Sequence, residues 1–468
     1  MTFIGRKSEL LILEERYASD QFELCVMYGR RRVGKTTLIN EFTKDKRCIF
    51  FSAVQGSAQE NIEFLSATIL RETDSSLQGA VFSSLNDAFE KVFELGSEQR
   101  LIFVIDEYPY LVHSQATTSS LLQHLIDKHK DTSKLMIILN GSSMTQMNSE
   151  FFTNNRPLYG RKTFQIKVQP FKFFEMREYF DKTKPELLPY IYGVYGGIPK
   201  YFEGYAQNKT LRENITRDFL SIGALLLEEP DAVLKQDVRE PASYSTLFAA
   251  IANGASKYSE LSSKANLESG NVSRYLNNLV FLDLVRREVP SYTEERRKVL
   301  YRVDDNMFSF WYRFVPRSLS LINSNHPQIA YEYIDKNLDQ YMGGIFEQIC
   351  MEYLWRINGS SALPFSFSQA GRWWGSDPKL KQDAEIDIIA HDGSSKGLFC
   401  ECKWSTSKVG EDILLELSER AKLPQFAKLS EKQLCLFSRS GFTAGCLKQA
   451  QSSGNVLLFS LGTILNSQ

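Results

Sequence analysis

Residues 22–36, FELCVMYGRRRVGKT, decide the fold of the first part of the chain. Phe22 to Tyr28 is an apolar run of strand length, and Gly29 to Thr36 fits the pattern G-x-x-x-x-G-K-[ST]. The residues that follow, from Thr37, have helical spacing. A strand that turns through a glycine loop into a helix aims backbone N–H groups and the positive helix end at one point, which suits a phosphate. Gly29 and Gly34 permit the tight path. Arg30, Arg31, Arg32 and Val33 complete the loop, and Thr37 extends the cradle. Lys35 is expected to reach the β- and γ-phosphates of ATP, and Thr36 to ligate Mg²⁺.

Outward from that loop, LIFVIDEYPYL (101–111) carries Asp106 to the C-terminal end of a second apolar strand, where open parallel sheets bind their ligands. Asp106 is expected to hold Mg²⁺ through water, and Glu107 to act as general base on the attacking water. KLMIILNGSSM (134–144) ends another strand at Asn140 and Ser142, both candidates to sense the γ-phosphate; capping of the next helix by Ser142 or Ser143 is the equal alternative. PLYGRK (157–162) places Arg161 in a loop before the next strand, with Arg156 nearby, and either is a candidate arginine finger. Apolar runs at 22–29, 47–53, 101–107, 134–141 and 163–170, separated by helix-period stretches, predict a parallel sheet with helices on both faces.

The chain has 468 residues, enough for roughly three domains of ~150. Its 43% hydrophobic and 24% charged residues are a folding composition. Lys and Arg number 55 against 56 Asp and Glu, a net charge of -1, which excludes a uniformly basic nucleic-acid coat but not a local basic face. Seven scattered cysteines without a CxxC pair, and only five histidines, argue against a structural zinc site and a disulfide framework. MTFIGRKSEL lacks the apolar centre of a signal peptide, and runs such as LIFVI are too short to cross a bilayer, so a cytoplasmic protein with no membrane partner is expected.

The pattern divides the chain into a phosphate-loop core (1–170), a helical lid (171–238), three helices and a hairpin that read as a winged helix-turn-helix (239–305), an aromatic-rich connector (306–330) and a second α/β unit (331–468). In SELSSKANLESGNVSRYLNNL (259–279), Asn271, Ser273, Arg274 and Asn277 suit phosphates and base edges. The hairpin adds Arg286, Arg287, Arg296, Arg297 and Lys298, offset by Glu288, Glu294 and Glu295. DNA contact and protein packing are equal readings of such a module.

In the last part, EIDIIA (385–390) places Asp387 on a strand, and GLFCECKW (397–404) places Glu401 and Lys403 on the next, joined through HDGSSKG. Strand alternation puts Glu401 and Lys403 on one face, with Cys400 and Cys402 on the other, toward the core. Asp387 and Glu401 can hold a hard divalent cation, and Lys403 can orient water or stabilise charge on a phosphate. Glu347, on the preceding helix, and Glu385, two residues before Asp387, are further candidate ligands. A solvated strand face is the alternative.

The motifs FIGRKSEL (3–10), GRRRVGKT, VIDEYPYL, LNGSSM, PLYGR and YGGIPKY (195–201), in this order, resemble the archaeal-type ATPase family of the STAND branch of AAA-like P-loop NTPases. The resemblance implies Phe3, Ile4 and Gly5 near the adenine, and Gly197-Ile198-Pro199 as a GxP element with Pro199 touching the base; a plain helix-terminating turn also explains the GGIP stretch. The stretch GRWWGSDPKLKQDAEIDIIA (371–390) with FCECKW and LFSRSGFT resembles the DUF234 domain, a variant of the PD-(D/E)xK nuclease superfamily. Ile386 stands where that family's name has proline, and Gln425 is too loosely placed to assign. The expected architecture is thus α/β: a P-loop NTPase with lid, a winged helix, and a C-terminal restriction-endonuclease-like domain. It implies an ATP- and Mg²⁺-dependent switch controlling DNA contact and cleavage. The alternatives are a nucleotide-gated regulator without cleavage, and an ATPase acting on another protein. An arginine supplied in trans would require a homo-oligomer.

Overall fold

The five apolar runs of the first part form one parallel sheet: β1 (Glu23–Tyr28), β2 (Cys48–Ser52), β3 (Leu101–Asp106), β4 (Leu135–Gly141) and β5 (Phe164–Lys167). Their order in the sheet is β2-β3-β4-β1-β5. The structure is a computed structural model, and it describes residues 3–73, 79–293, 298–378 and 380–466. Every residue of β3 and β4 is buried, as expected of parallel strands covered on both faces. Leu24, Val26, Phe51, Phe89, Phe103, Ile105, Ile137 and Phe151 belong to one core cluster around this sheet. Because β4 lies between β1 and β3, the loop after β1 and the acidic end of β3 stand two strand spacings apart, about 10 Å. The end of β4 fills that gap.

The chain folds as two compact units. The first runs to Phe171 and takes in Ile198–Lys200; the second comprises Lys172–Gly197 and the chain from Tyr201 onward. The four regions expected after residue 170 therefore fall, apart from that short return, into a single unit.

Within the second unit, three helices (Pro241–Ala252, Tyr258–Ala265, Ser269–Phe281) precede an antiparallel hairpin of β6 (Val285–Glu288) and β7 (Leu300–Val303). Glu294, Glu295, Arg296 and Arg297 lie outside the described residues. The helix Asn306–Asn323 leads to a 31-residue helix, Pro327–Ile357. A second sheet follows: β8 (Gln369–Asp377), β9 (Gln382–His391), β10 (Lys396–Lys403), β11 (Glu431–Ser438) and β12 (Val456–Ser460), in the order β12-β11-β10-β9-β8. β8, β9 and β10 are antiparallel, while β10, β11 and β12 are parallel. The sequence pattern anticipates β9 to β12 but not β8. Gly371, Gly375 and Ser376 have weak strand preference. The register against β9 shifts between Gly371 and Trp373, with the extra residue on β9 between Ile386 and Ile389.

The hairpin is docked on this sheet. Ser291 N–H donates to the Arg372 carbonyl at 2.7 Å, and the Tyr292 ring packs edge-on to His391, 4.9 Å between centroids, and near Phe426. Among the described residues no helix is long and apolar enough to cross a membrane.

Candidate functional site

The loop between β1 and the helix Lys35–Thr43 is built on two residues that no other type replaces. Gly29 has φ +149°, and a Cβ there would stand 2.3 Å from the Val168 carbonyl oxygen. Gly34, at φ +95°, caps the helix. Lys35 is buried, and its Nζ donates to the carbonyls of Gly29 at 2.9 Å and Arg30 at 3.0 Å, which pulls the loop around it. Arg6, buried as well, donates to the Val33 carbonyl at 2.9 Å, with its guanidinium 4.1 Å from the centre of the Phe171 ring. The family resemblance implied Phe3, Ile4 and Gly5 near the adenine but not Arg6 as a brace of the loop; its adjacency to them was the available signal. Pro199 also comes to the loop, its Cγ 3.9 Å from the position of a Cβ on Gly34.

The expected acidic partner is in place. Thr36 Oγ1 donates to Asp106 Oδ2 at 3.1 Å, and Asn140 Nδ2, at the end of β4, donates to Asp106 Oδ1. Hydroxyl and carboxylate oxygens are the donors a hard cation such as Mg²⁺ takes. Asn140 Oδ1 is buried with no hydrogen-bond partner in the protein, which leaves one acceptor for a ligand or water. The loop and this oxygen set therefore fit Mg²⁺ and a nucleotide triphosphate. Glu107 has left-handed backbone, φ 51°, and its Oε2 accepts from the Ser142 hydroxyl at 3.0 Å and the Ser142 amide at 3.3 Å. The two serines left open by the sequence thus divide their roles: Ser143 caps the helix Met144–Phe152, and Ser142 holds Glu107. Arg31 donates to the Tyr110 hydroxyl at 3.3 Å.

The structure does not bring the candidate finger to this point. Arg161 is paired with Asp127, Nη2 to Oδ2 at 2.8 Å, and donates to the Pro157 carbonyl; Arg156 bonds Ser149 and Glu150.

In the second unit, Asp387 and Glu401 are both buried on adjacent strands, 8% and 7% exposed. Glu401 is clamped by two cations: Lys403 Nζ at 2.6 Å from Oε1, and Arg420 Nη1 at 3.2 Å from Oε2. Asp387 Oδ2 accepts from the Cys402 amide at 2.8 Å. Burial, then the Glu401 charge, pushes Asp387 up to about 6 despite that bond. Glu347 is pushed up to about 8, by burial first and then by the charges of Asp387, Glu385 and Glu288, with Arg286 opposing. Burial lowers Lys403, but the Glu401 carboxylate more than reverses this and leaves it raised. Glu385 is paired with Arg372 at 2.6 Å. The expected ligands thus share one electrostatic field. Among the described residues, however, no three His, Cys, Asp or Glu groups converge to hold a metal ion. The physical reason is visible at Glu401, whose two oxygens each already meet a cation. Cys400 and Cys402 are buried thiols, as alternation predicted. Arg420 was missed; it lies on the helix Glu411–Ala421 that follows β10, whereas the exposed Gln425 lies in the next short turn.

On the helix Ser269–Phe281, Ser273, Arg274 and Asn277 are exposed and Asn271 half-buried, with Arg274 3.5 Å from Glu240. The hairpin arginines are less available than expected. Arg286 pairs with Glu288 at 2.6 Å and Asp304 at 3.3 Å, while Arg287 is exposed.

A family model described as an ATPase domain predominantly from Archaea matches residues 3–204, and DUF234, described as archaeal and bacterial proteins of unknown function, matches residues 311–416. An uncharacterized protein of Methanocaldococcus jannaschii is 31% identical over 427 residues, covering 90% of this chain and 92% of that one. An uncharacterized ATP-binding protein of the same organism is 47% identical over 45 residues, 10% of this chain and 76% of the other. Among solved structures, the Walker-type ATPase PABY2304 of Pyrococcus abyssi aligns with a TM-score of 0.50 at 19% identity, over 66% of this chain and 96% of that one. The last likeness is one of fold.

Proposed function

The chain belongs to the predominantly archaeal ATPase-domain family, with DUF234 downstream, and on that premise we propose that it is an ATP-hydrolysing switch that controls a nucleic-acid-directed site in its second unit. The observation that carries the ATPase part is the bond from Thr36 to Asp106, with Glu107 beside it. Bound Mg²⁺ and ATP supply the scissile phosphoanhydride and neutralise its charge. The chain's own residues do the rest. Lys35 would exchange its two loop carbonyls for phosphate oxygens, Asp106 and Thr36 would hold the cation, and Pro199, beside the loop at Gly34, would touch the base. Glu107 accepts a proton from water once Ser142 releases it. The test is hydrolysis by the full chain against Lys35→Ala; equal nucleotide affinity in both sinks the proposal.

The second unit's part of the proposal rests on the buried carboxylates Asp387 and Glu401 with the half-exposed Lys403 paired to Glu401. Glu347, Asp387 and Lys403, each with raised proton affinity, form a cluster that suits phosphodiester chemistry. The three-helix and hairpin module, read as a winged helix, contacts DNA through Ser273, Arg274 and Asn277. The double cation clamp on Glu401 favours a second reading, a nucleotide-gated regulator that binds without cutting. Incubation with plasmid and single-stranded DNA, with Mg²⁺ or Mn²⁺ and with or without ATP, separates the two. Cleavage that Lys403→Ala removes supports the first; no cleavage under any of these conditions supports the second.

A further inference from the structure

A cleft of about 980 Å³ lies in the second unit between the hairpin and the β8–β9 edge of the second sheet. Its lining includes Lys257, Tyr258, Lys298, Tyr301, Trp374 and Glu385. Three elements that are distant in sequence each contribute one aromatic ring. Tyr258 opens the helix Tyr258–Ala265, Tyr301 lies on β7 and Trp374 on β8. All three are only partly buried. Backbone bonds fix the walls: Tyr301 N–H donates to the Ser256 carbonyl at 2.9 Å, and Ser291 N–H to the Arg372 carbonyl at 2.7 Å.

We propose that this cleft binds single-stranded nucleic acid and leads it across β8 to Glu385 and Asp387 on the neighbouring strand β9. Bases stack on aromatic rings regardless of sequence, and lysines meet the phosphates between them. The volume is at the upper end of small-ligand sites, about 300–1,000 Å³. It has room for a few unstacked nucleotides, whose exposed base faces can reach the three rings. Acidic groups also line it. Glu385 is paired with Arg372 at 2.6 Å, and Asp383, Lys257 and Lys298 also line the cleft. Trp374 lies directly opposite Glu385 in the β8–β9 register, and Asp387 follows two residues on along β9. A strand stacked on Trp374 therefore lies across from Glu385, two residues along β9 from the buried Asp387. The inference rests on reading that cluster as directed at nucleic acid.

The test is fluorescence anisotropy of the full chain, with EDTA present, against a labelled dT12 strand, a 20-base-pair duplex and a TpT dinucleotide. The expected result is that dT12 binds tightest and that Trp374→Ala weakens it about tenfold or more, with recovery in Trp374→Phe. Lys298→Ala is expected to reduce the salt slope by about 0.7. Equal affinity for duplex or dinucleotide overturns the proposal. Should Trp374→Ala fail to fold, photocrosslinking of an iodouridine strand to the unmodified chain decides. Adducts on Tyr258, Tyr301 or Trp374 support the cleft, and adducts confined elsewhere overturn it. The two readings fail separately. Cleft binding without cleavage in metal sinks only the cleavage reading. Cleavage unchanged in Trp374→Ala and Lys298→Ala sinks only the cleft.

Discussion

Thr36 Oγ1 donates to Asp106 Oδ2 at 3.1 Å, a bond between residues 70 apart in the chain that joins the end of the loop after β1 to the end of β3. Asp106 is buried, so this pairing organises two oxygen donors before any ligand arrives. Asp106→Asn is expected to lower Mg²⁺-dependent ATP hydrolysis about 10²-fold, because a charged cation partner is lost. Lys35→Ala is expected to weaken nucleotide binding by roughly tenfold or more, since charge-assisted hydrogen bonds are worth ~1.5–3 kcal/mol. Titration with a fluorescent ATP analogue and a phosphate-release assay check the pair.

Ser142 holds Glu107 through its hydroxyl and its amide. Ser142→Ala removes the shorter hydroxyl bond, keeps the 3.3 Å amide bond, and so loosens the carboxylate toward water. Basal hydrolysis is expected to rise severalfold, whereas Glu107→Gln is expected to lose about 10²-fold in kcat with nucleotide affinity unchanged. A Ser142→Ala enzyme slower than the parent would show that Ser142 acts on the nucleotide itself.

Gly29→Ala places a methyl group 2.3 Å from the Val168 carbonyl oxygen at φ +149°. The strained loop is expected to cost roughly 1–3 kcal/mol and to abolish tight nucleotide binding. Thermal unfolding followed with and without ATP reads both effects, and a parent-like ligand-induced Tm shift would refute this account of the loop.

Glu352 provides a pH dependence outside both sites. Its carboxylate accepts from the Phe173 amide at 2.8 Å and the Tyr192 hydroxyl at 3.2 Å, yet burial raises its pKa to about 7 against these bonds. The folded state therefore binds the proton more tightly than the unfolded chain. Its contribution to stability is fully present below the unfolded value near 4.5, and is lost as pH rises through about 7. The loss is on the order of 2 kcal/mol after allowance for partial exposure. Glu352→Gln is expected to flatten this decline and to be the more stable protein at pH 8. Urea denaturation at pH 5 and pH 8 measures it.

Much of the first unit was legible. β1 to β5 announce themselves as apolar runs because parallel strands are buried on both faces. The loop residues, Asp106 and Glu107 were legible because motif and strand end are adjacent in sequence. Arg6 on Val33, Ser142 on Glu107 and Arg420 on Glu401 were not, since they span 27, 35 and 19 residues and obey no period. The pairing of Arg161 with Asp127 and the docking of the hairpin on β8 were equally hidden, and both reduce the freedom the sequence assigned to those arginines and that hairpin.

The sequence by itself determined the parallel sheet, the phosphate-type loop and the alternation that buries Cys400 and Cys402. Each of these is dictated by local sterics or by the two-residue period of a strand. Only the tertiary structure decided which charges meet. It left Glu401 between Lys403 and Arg420, raised Glu347 beside Asp387, and opened the aromatic cleft before Glu385. Electrostatics depend on distance and burial, and these are set by how distant elements pack rather than by the order of residues along the chain.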